Sequence, residues 1–272
     1  MAVPTARRFS LPRFRRPGMP PPTASARLVH AAGVAVGCLS LFALWAVLSV
    51  YVRPWVPTPA DTFAAIGRNL RSPVFYDHLA ITLFRVMASF AAATIIGSAL
   101  GIFIGLNRKA EAFFQPLLAI ALAVPDPVYI IFAILAVGTG ETAGFVALTI
   151  AVSPFVTNIV RTSVQARDTG LDEMARVYRL PPRRAFWETL VPQLVPALLT
   201  AARFSFALSW KLVVVVEAIG QPDGIGAQIH RAFSLLRMRE VAALAILFIL
   251  LMQVLERGVL GRIEKRLLRW RR

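Results

Sequence analysis

Cysteine and histidine are nearly missing from this chain, and each shortage removes a class of chemistry. Cys38 is the sole cysteine. It lies inside an apolar run, so no disulfide framework is available and the thiol reads as packing rather than catalysis. The three histidines, His30, His78 and His230, have no second His or Cys at a metal-ligand spacing. Neither a Gly-x-Ser-x-Gly elbow nor a phosphate-cradling Gly-x-x-x-x-Gly-Lys-Ser/Thr loop occurs. No catalytic residue, cofactor or metal is therefore expected, and the chain is not expected to hydrolyse nucleotide itself. Acids are also scarce, 14 against 30 Lys and Arg, for a formal charge of +16.

Apolar side chains are abundant. At 57% hydrophobic residues and a mean hydropathy of +0.65, too little polar surface remains to solvate one soluble domain of this size, so lipid must replace much of the water. A helix needs about 20 apolar residues to cross the hydrocarbon. Six segments qualify, near 31–52, 79–106, 113–138, 142–161, 194–218 and 240–260. The first has too long an apolar run for a signal peptide and no clean small-residue cleavage site, so it reads as a retained span. The expected fold is an all-α, polytopic membrane protein with a six-span domain over 31–260. A basic, disordered tail is expected over 1–30 and a short basic tail over 261–272, with no soluble domain attached.

Basic residues near span ends stay on the cytoplasmic side. The N-terminal tail, the 107–112 turn, Arg161 with the 162–193 loop, and the segment from Arg257 together hold 21 of the 30 basic residues. Both termini and that loop are thus expected to be cytoplasmic. The charge needs no nucleic acid to explain it: the arginines and prolines of the N-terminal tail suit anionic lipid, and proline prevents a positioned reading helix. Between the first two spans, Pro59 to Ile66 reads as an N-capped amphipathic helix lying along the opposite face.

The loop over 170–193 has an ordered pattern. Glu173, Met174 and Ala175 open a helical turn, Arg176 and Arg179 follow, Pro181 and Pro182 break it, and Leu190-Val191-Pro192 precede the next span. This resembles the EAA loop of ABC-importer permeases, in which Glu-Ala-Ala is followed by a Gly six residues after the Glu and a Leu-Pro thirteen beyond that. Glu173, Ala175 and Pro192 fall at the family spacing, while Met174 and Arg179 depart from it. The resemblance runs from about Trp55 to Trp270, includes Pro57-Thr58-Pro59, the stretch Trp210 to Glu217 and Gly224-Ile225-Gly226, and looks like the nitrate/sulfonate/taurine branch.

It implies the type I ABC-importer permease fold in a bacterial cytoplasmic (inner) membrane, working as a homodimer with two ATPase subunits and a periplasmic solute-binding protein. It also implies that Glu173, Ala175, Arg176, Arg179 and Pro192 serve the ATPase contact, and that the region beyond the fifth span receives the binding protein, with Arg231, Arg237 and Arg239 as contact candidates. The substrate implied is a small organic or inorganic anion, with a neutral or cationic vitamin precursor as the alternative. A polytopic membrane enzyme or scaffold would instead need a clustered acid/base or metal constellation, which the sequence lacks.

Charged residues inside spans are costly and mark pairs or pathways. Asp126, between Pro125 and Pro127 in the third span, and Tyr129 just after it are pathway candidates, since broken helices build transporter sites. Lys211 and Glu217 in the fifth span are two more. Two readings stand for Asp126: it caps or pairs structurally, or it faces the pathway. Lys211 is a possible partner for it, Arg85 for any of these acids, and Glu217 for a backbone donor. Gly97, Gly101 and Gly105, four apart, suit close helix packing.

Overall fold

The computed structural model describes residues 24–52, 54–256 and 258. Of the expected tails over 1–30 and 261–272, residues 1–23 and 261–272 lie outside them, while 24–30 are helical. Among the described residues every regular element is a helix: α1 (Ala24–Tyr51), α2 (Pro59–Arg71), α3 (Pro73–Leu106), α4 (Arg108–Ala123), α5 (Asp126–Val137), α6 (Glu141–Gln165), α7 (Thr169–Val177), α8 (Pro182–Ala185), α9 (Val191–Gly220), α10 (Ile225–Ser234) and α11 (Met238–Leu255), with a π-helical turn over Phe186–Leu190 between α8 and α9. By length and composition α1, α3, α6, α9 and α11 can each cross a membrane, and α4 with α5 makes a sixth apolar segment bent by 101°.

That bend is where the sequence places two prolines around Asp126. Pro125 and Pro127 supply no backbone N–H, so the ladder stops at Ala123 and restarts at Asp126. The third span expected over 113–138 is thus two helices rather than one rod. Tyr129 fastens the corner: its hydroxyl donates to the Ala121 carbonyl at 2.6 Å, across the break.

The core lies where α3, α6 and α9 meet. Along α6, Ala147, Leu148, Ala151, Val152, Val156, Val160 and Val164 are buried at helical spacing. The glycine ridge of α3 packs against it: a Cβ on Gly97, Gly101 or Gly105 would fall within 2.8 Å of α6 atoms, so only glycine allows this approach. Phe206, Trp210 and Phe248 stack between α9 and α11, the Trp210 and Phe248 centroids 4.5 Å apart.

Short elements are fixed by local chemistry. Thr58 caps α2 by accepting from the Asp61 N–H, with Pro59 in the first turn. Asn107 caps α4 through the Lys109 and Ala110 N–H groups. In contrast to the core helices, α1 stands almost wholly exposed. Its Trp45 donates to the Pro57 carbonyl and lies against Phe63 of α2.

Candidate functional site

Two groups of candidate residues stand at opposite ends of α9, whose 30 residues span about 45 Å at the helical rise of 1.5 Å. At its N-terminal end lies the segment from Asp168 to Pro192. The Asp168 carboxylate caps α7 by accepting from the Gly170 N–H at 2.8 Å, and its own N–H donates to Gln193 Oε1 at 2.9 Å, tying the start of α7 to α9. Arg167 braces the same corner, pairing with Asp172 at 2.9 Å and donating to the Val164 carbonyl. On α7 only Ala175 is buried, and Glu173, Met174, Arg176, Val177, Tyr178 and Arg179 are exposed.

Helix α7 ends at Val177, and Arg179, two residues on, stands where the EAA pattern has glycine. The Leu180 N–H reaches the Ala175 carbonyl at 2.9 Å and the Arg179 N–H reaches the Arg176 carbonyl at 3.0 Å. This is the six-to-one and five-to-two pairing of a Schellman cap, which needs a left-handed residue between helix and exit. Arg179 supplies it at φ 51°. The turn geometry is therefore kept without glycine, at the cost of a Cβ against its own backbone. Pro181 and Pro182 then start α8 rather than extend α7, and Arg184 pairs with Glu188 one turn on. Pro192 opens α9 in its first turn, where a missing N–H costs nothing.

At the other end of α9, Glu217 is fully buried. It accepts from the Gly226 N–H at 2.8 Å and from the Thr82 hydroxyl at 2.8 Å, and pairs with Arg85 at 2.9 Å. Arg85, 3% exposed, also donates to Glu141, to the Asp223 carboxylate and to the Asp223 carbonyl. One guanidinium thus joins α3, the start of α6, the end of α9 and the loop into α10. The loop is shaped to fit: Gly224 sits at φ 99°, and a Cβ there would lie 2.2 Å from the Glu217 carboxyl carbon. The Gly224 N–H donates to His78 Nδ1 and the Ile225 N–H to the Thr82 hydroxyl, both at 2.9 Å. Every strong donor around the Glu217 carboxylate is engaged, as a buried charge requires.

The other named residues are scattered. Asp126 is half-buried in the first turn of α5, and Lys211 is exposed on α9. Neither makes an ion pair among the described residues, so the two do not meet. Arg231, Arg237 and Arg239 are exposed. Arg231 donates to the Pro222 carbonyl, whereas Arg237 and Arg239 line a cavity of 540 Å³ between the 54–61 segment and the start of α11. Arg239 lies 3.7 Å from Asp61 there, and Glu240 bridges Arg68 at 3.0 Å and Asn69 at 2.9 Å. Sequence reasoning left out Glu141, Asp223, Thr82 and His78 as partners of the Arg85 cluster. No periodicity links them, and the local signal was limited to Asp223 directly before Gly224-Ile225-Gly226, with Glu217 seven residues before Gly224. No group of three or more His, Cys, Asp or Glu among the described residues could hold a metal ion.

Known proteins resemble this arrangement at the level of both sequence and fold. The putative aliphatic sulfonates transport permease protein SsuC of Bacillus subtilis is 26% identical over 236 residues, 85% of this chain and 84% of its own. The nitrate import permease protein NrtB of Synechocystis is 29% identical, covering 74% and 76%, and the taurine transport system permease protein TauC of Escherichia coli is 23% identical, covering 87% and 89%. Among solved structures, a chain of the inward-facing MetNI methionine ABC transporter superposes with a TM-score of 0.62 at 20% identity, over 71% of this chain and 96% of that one, which places the fold among type I ABC-importer permeases. The family model described as binding-protein-dependent transport system inner membrane component matches residues 79–269, most of the chain, from the Arg85 cluster through the Asp168–Pro192 segment. The protein therefore belongs to the binding-protein-dependent transport system inner membrane components, on the nitrate/sulfonate/taurine branch of ABC permeases.

Proposed function

We propose that two copies of this chain form the solute pathway of a bacterial ABC importer. Two cytoplasmic ATPase subunits hold the α7 segments, and a periplasmic binding protein delivers a small anion of the sulfonate, nitrate or taurine kind, as the names of the relatives suggest. Both termini and the α7 segment face the cytoplasm in this reading, in keeping with the distribution of basic residues.

The observation that carries the reading is the surface of α7 and its exit. Met174, Val177, Tyr178 and Trp187 are 45%, 79%, 74% and 61% exposed within an otherwise polar segment. Exposed apolar side chains of this kind, interspersed with Glu173, Arg176 and Arg179, suit a groove in a partner protein. Ala175 and the two caps hold the segment rigid, so force applied there is transmitted to α9 rather than dissipated in a flexible loop. ATP-driven approach of the ATPases moves the α7 segments together and favours the outward-open state. That switch works only through differential binding to two conformations.

Arg231, Arg237 and Arg239 then face the periplasm with the 540 Å³ cavity and meet acidic surface on the binding protein. Asp126, Tyr129, Lys211 and Glu217 belong to the spans that surround the pathway. Of these, Tyr129 and Glu217 act on its shape, through the bend and the Arg85 cluster.

The test is ATPase activity of the complex reconstituted with its ATPase and a binding protein loaded in turn with an aliphatic sulfonate, nitrate or taurine. Stimulation by one loaded binding protein, lost in Glu173→Ala with the complex still assembled, is the expected result. Failure of any ATPase to co-purify with the wild-type chain overturns it.

A further inference from the structure

We propose that Lys211 lines the aqueous pathway and makes it selective for anions, an inference that rests on the importer reading above and assigns its selectivity to one residue. Helix α9 has two faces. Ala201, Ser205, Ser209, Leu212, Val216 and Gly220 are buried at spacings of three and four, one stripe against α3 and α6. Thr200, Phe204, Ala207, Lys211 and Val215 form a second stripe, exposed or half-buried, with Phe204 against Phe155 of α6.

Lipid is a poor partner for one member of that second stripe, Lys211. Lys211 is exposed, and no acid among the described residues pairs with it; the two nearest charges along the helix, Arg203 and Glu217, are engaged with Glu256 and Arg85. It stands nine residues before Gly220 at the end of α9, about 13.5 Å along the axis at the helical rise. That is roughly twice what its flexible stem spans by snorkelling. An ammonium at that depth without a counter-ion belongs in a water-filled space. Two copies of the chain would bring two such cations to a shared pathway. A passing sulfonate, nitrate or carboxylate would gain an attractive but exchangeable partner, and a cation would be repelled.

The single native cysteine makes this testable without knowing the substrate. In a Cys38→Ser background, Ala207→Cys places a thiol one turn from Lys211, on the same face. Full complexes in membranes are labelled with an anionic sulfonatoethyl and a cationic trimethylammonioethyl methanethiosulfonate. Both are expected to react, with the anionic reagent favoured relative to a free-thiol standard. Adding Lys211→Gln is expected to lower the anionic-to-cationic rate ratio by about five- to tenfold, the effect of one charge at 6–7 Å in a water-like medium. Ser209→Cys, on the buried stripe, is expected to stay unreactive. Absence of reaction at position 207, or a ratio that Lys211→Gln leaves unchanged, overturns the assignment. Loss of binding-protein-stimulated ATPase in the parent complex would instead overturn the importer reading, while the labelling would still report whether this face is wet.

Discussion

The Asp168–Pro192 segment and the Arg85 cluster hold their shapes by opposite means. The segment is made from neighbours in sequence: the Asp168 cap closes over two residues, the Schellman exit over five, and the Arg184–Glu188 pair over four. It is mostly exposed. Around Arg85 the cluster joins residues 56 to 138 positions apart, and Arg85 and Glu217 are almost completely buried. Local hydrogen bonds suffice to shape an exposed surface segment. A buried charge is stable only when distant parts of the chain arrive together to satisfy it.

The largest effect should come from breaking the cluster. Arg85→Met leaves Glu217 buried without its cation and should destabilise the protein by about 3–5 kcal/mol, because removing one partner strands the other charge. Thermal unfolding of the purified protein in detergent measures this. Adding Glu217→Gln should recover part of the loss, and a double mutant less stable than Arg85→Met alone would contradict the pairing.

Gly224→Ala comes next. Its Cβ would collide with the Glu217 carboxyl at a backbone angle that L residues rarely adopt. A loss of about 1–3 kcal/mol is expected in the same unfolding assay. Arg179→Gly should act in the other direction. Glycine removes the strain at φ 51° and should raise stability by about 1 kcal/mol, seen as a higher unfolding temperature with ATPase binding retained. An unchanged or lower midpoint would mean that the arginine side chain offsets its own strain.

Glu173→Ala should leave unfolding within about 0.5 kcal/mol of wild type, as expected for an exposed residue that makes no cap or pair among the described residues. The same substitution should remove coupling to the ATPase. Equal losses of stability and of stimulation would make Glu173 a structural residue and weaken the contrast between the two ends of α9.

Much of the first region was legible in the residues. Proline pairs, an Asp before a helical run, and the Glu173, Ala175 and Pro192 spacing are signals that operate within one or two turns. Even so, the sequence left the consequence of Arg179 open, since a non-glycine residue enters the left-handed region only when the surrounding cap stabilises it. The bend at Asp126 was readable from Pro125 and Pro127, but neither its 101° angle nor the Tyr129 strap was. Lys211 and Asp126 could be named as charges within spans, yet whether they pair depends on how α5 packs beside α9. The separation of α1 from the core was also not legible, because an apolar helix bound for lipid and one bound for protein have the same composition.

By itself the sequence determined the apolar spans, the asymmetric placement of basic residues and the ends of the short helices. Hydrophobic length, charge near span ends and backbone capping are properties of residues close together in the chain. Only the tertiary structure decided that Arg85 would gather Glu141, Glu217 and Asp223, that Gly97, Gly101 and Gly105 would meet α6, and that Lys211 would be left without a counter-ion among the described residues on the open face of α9. Those outcomes depend on which helix faces meet, and Coulomb and packing energies at a few ångströms are fixed by that geometry and not by distance along the sequence.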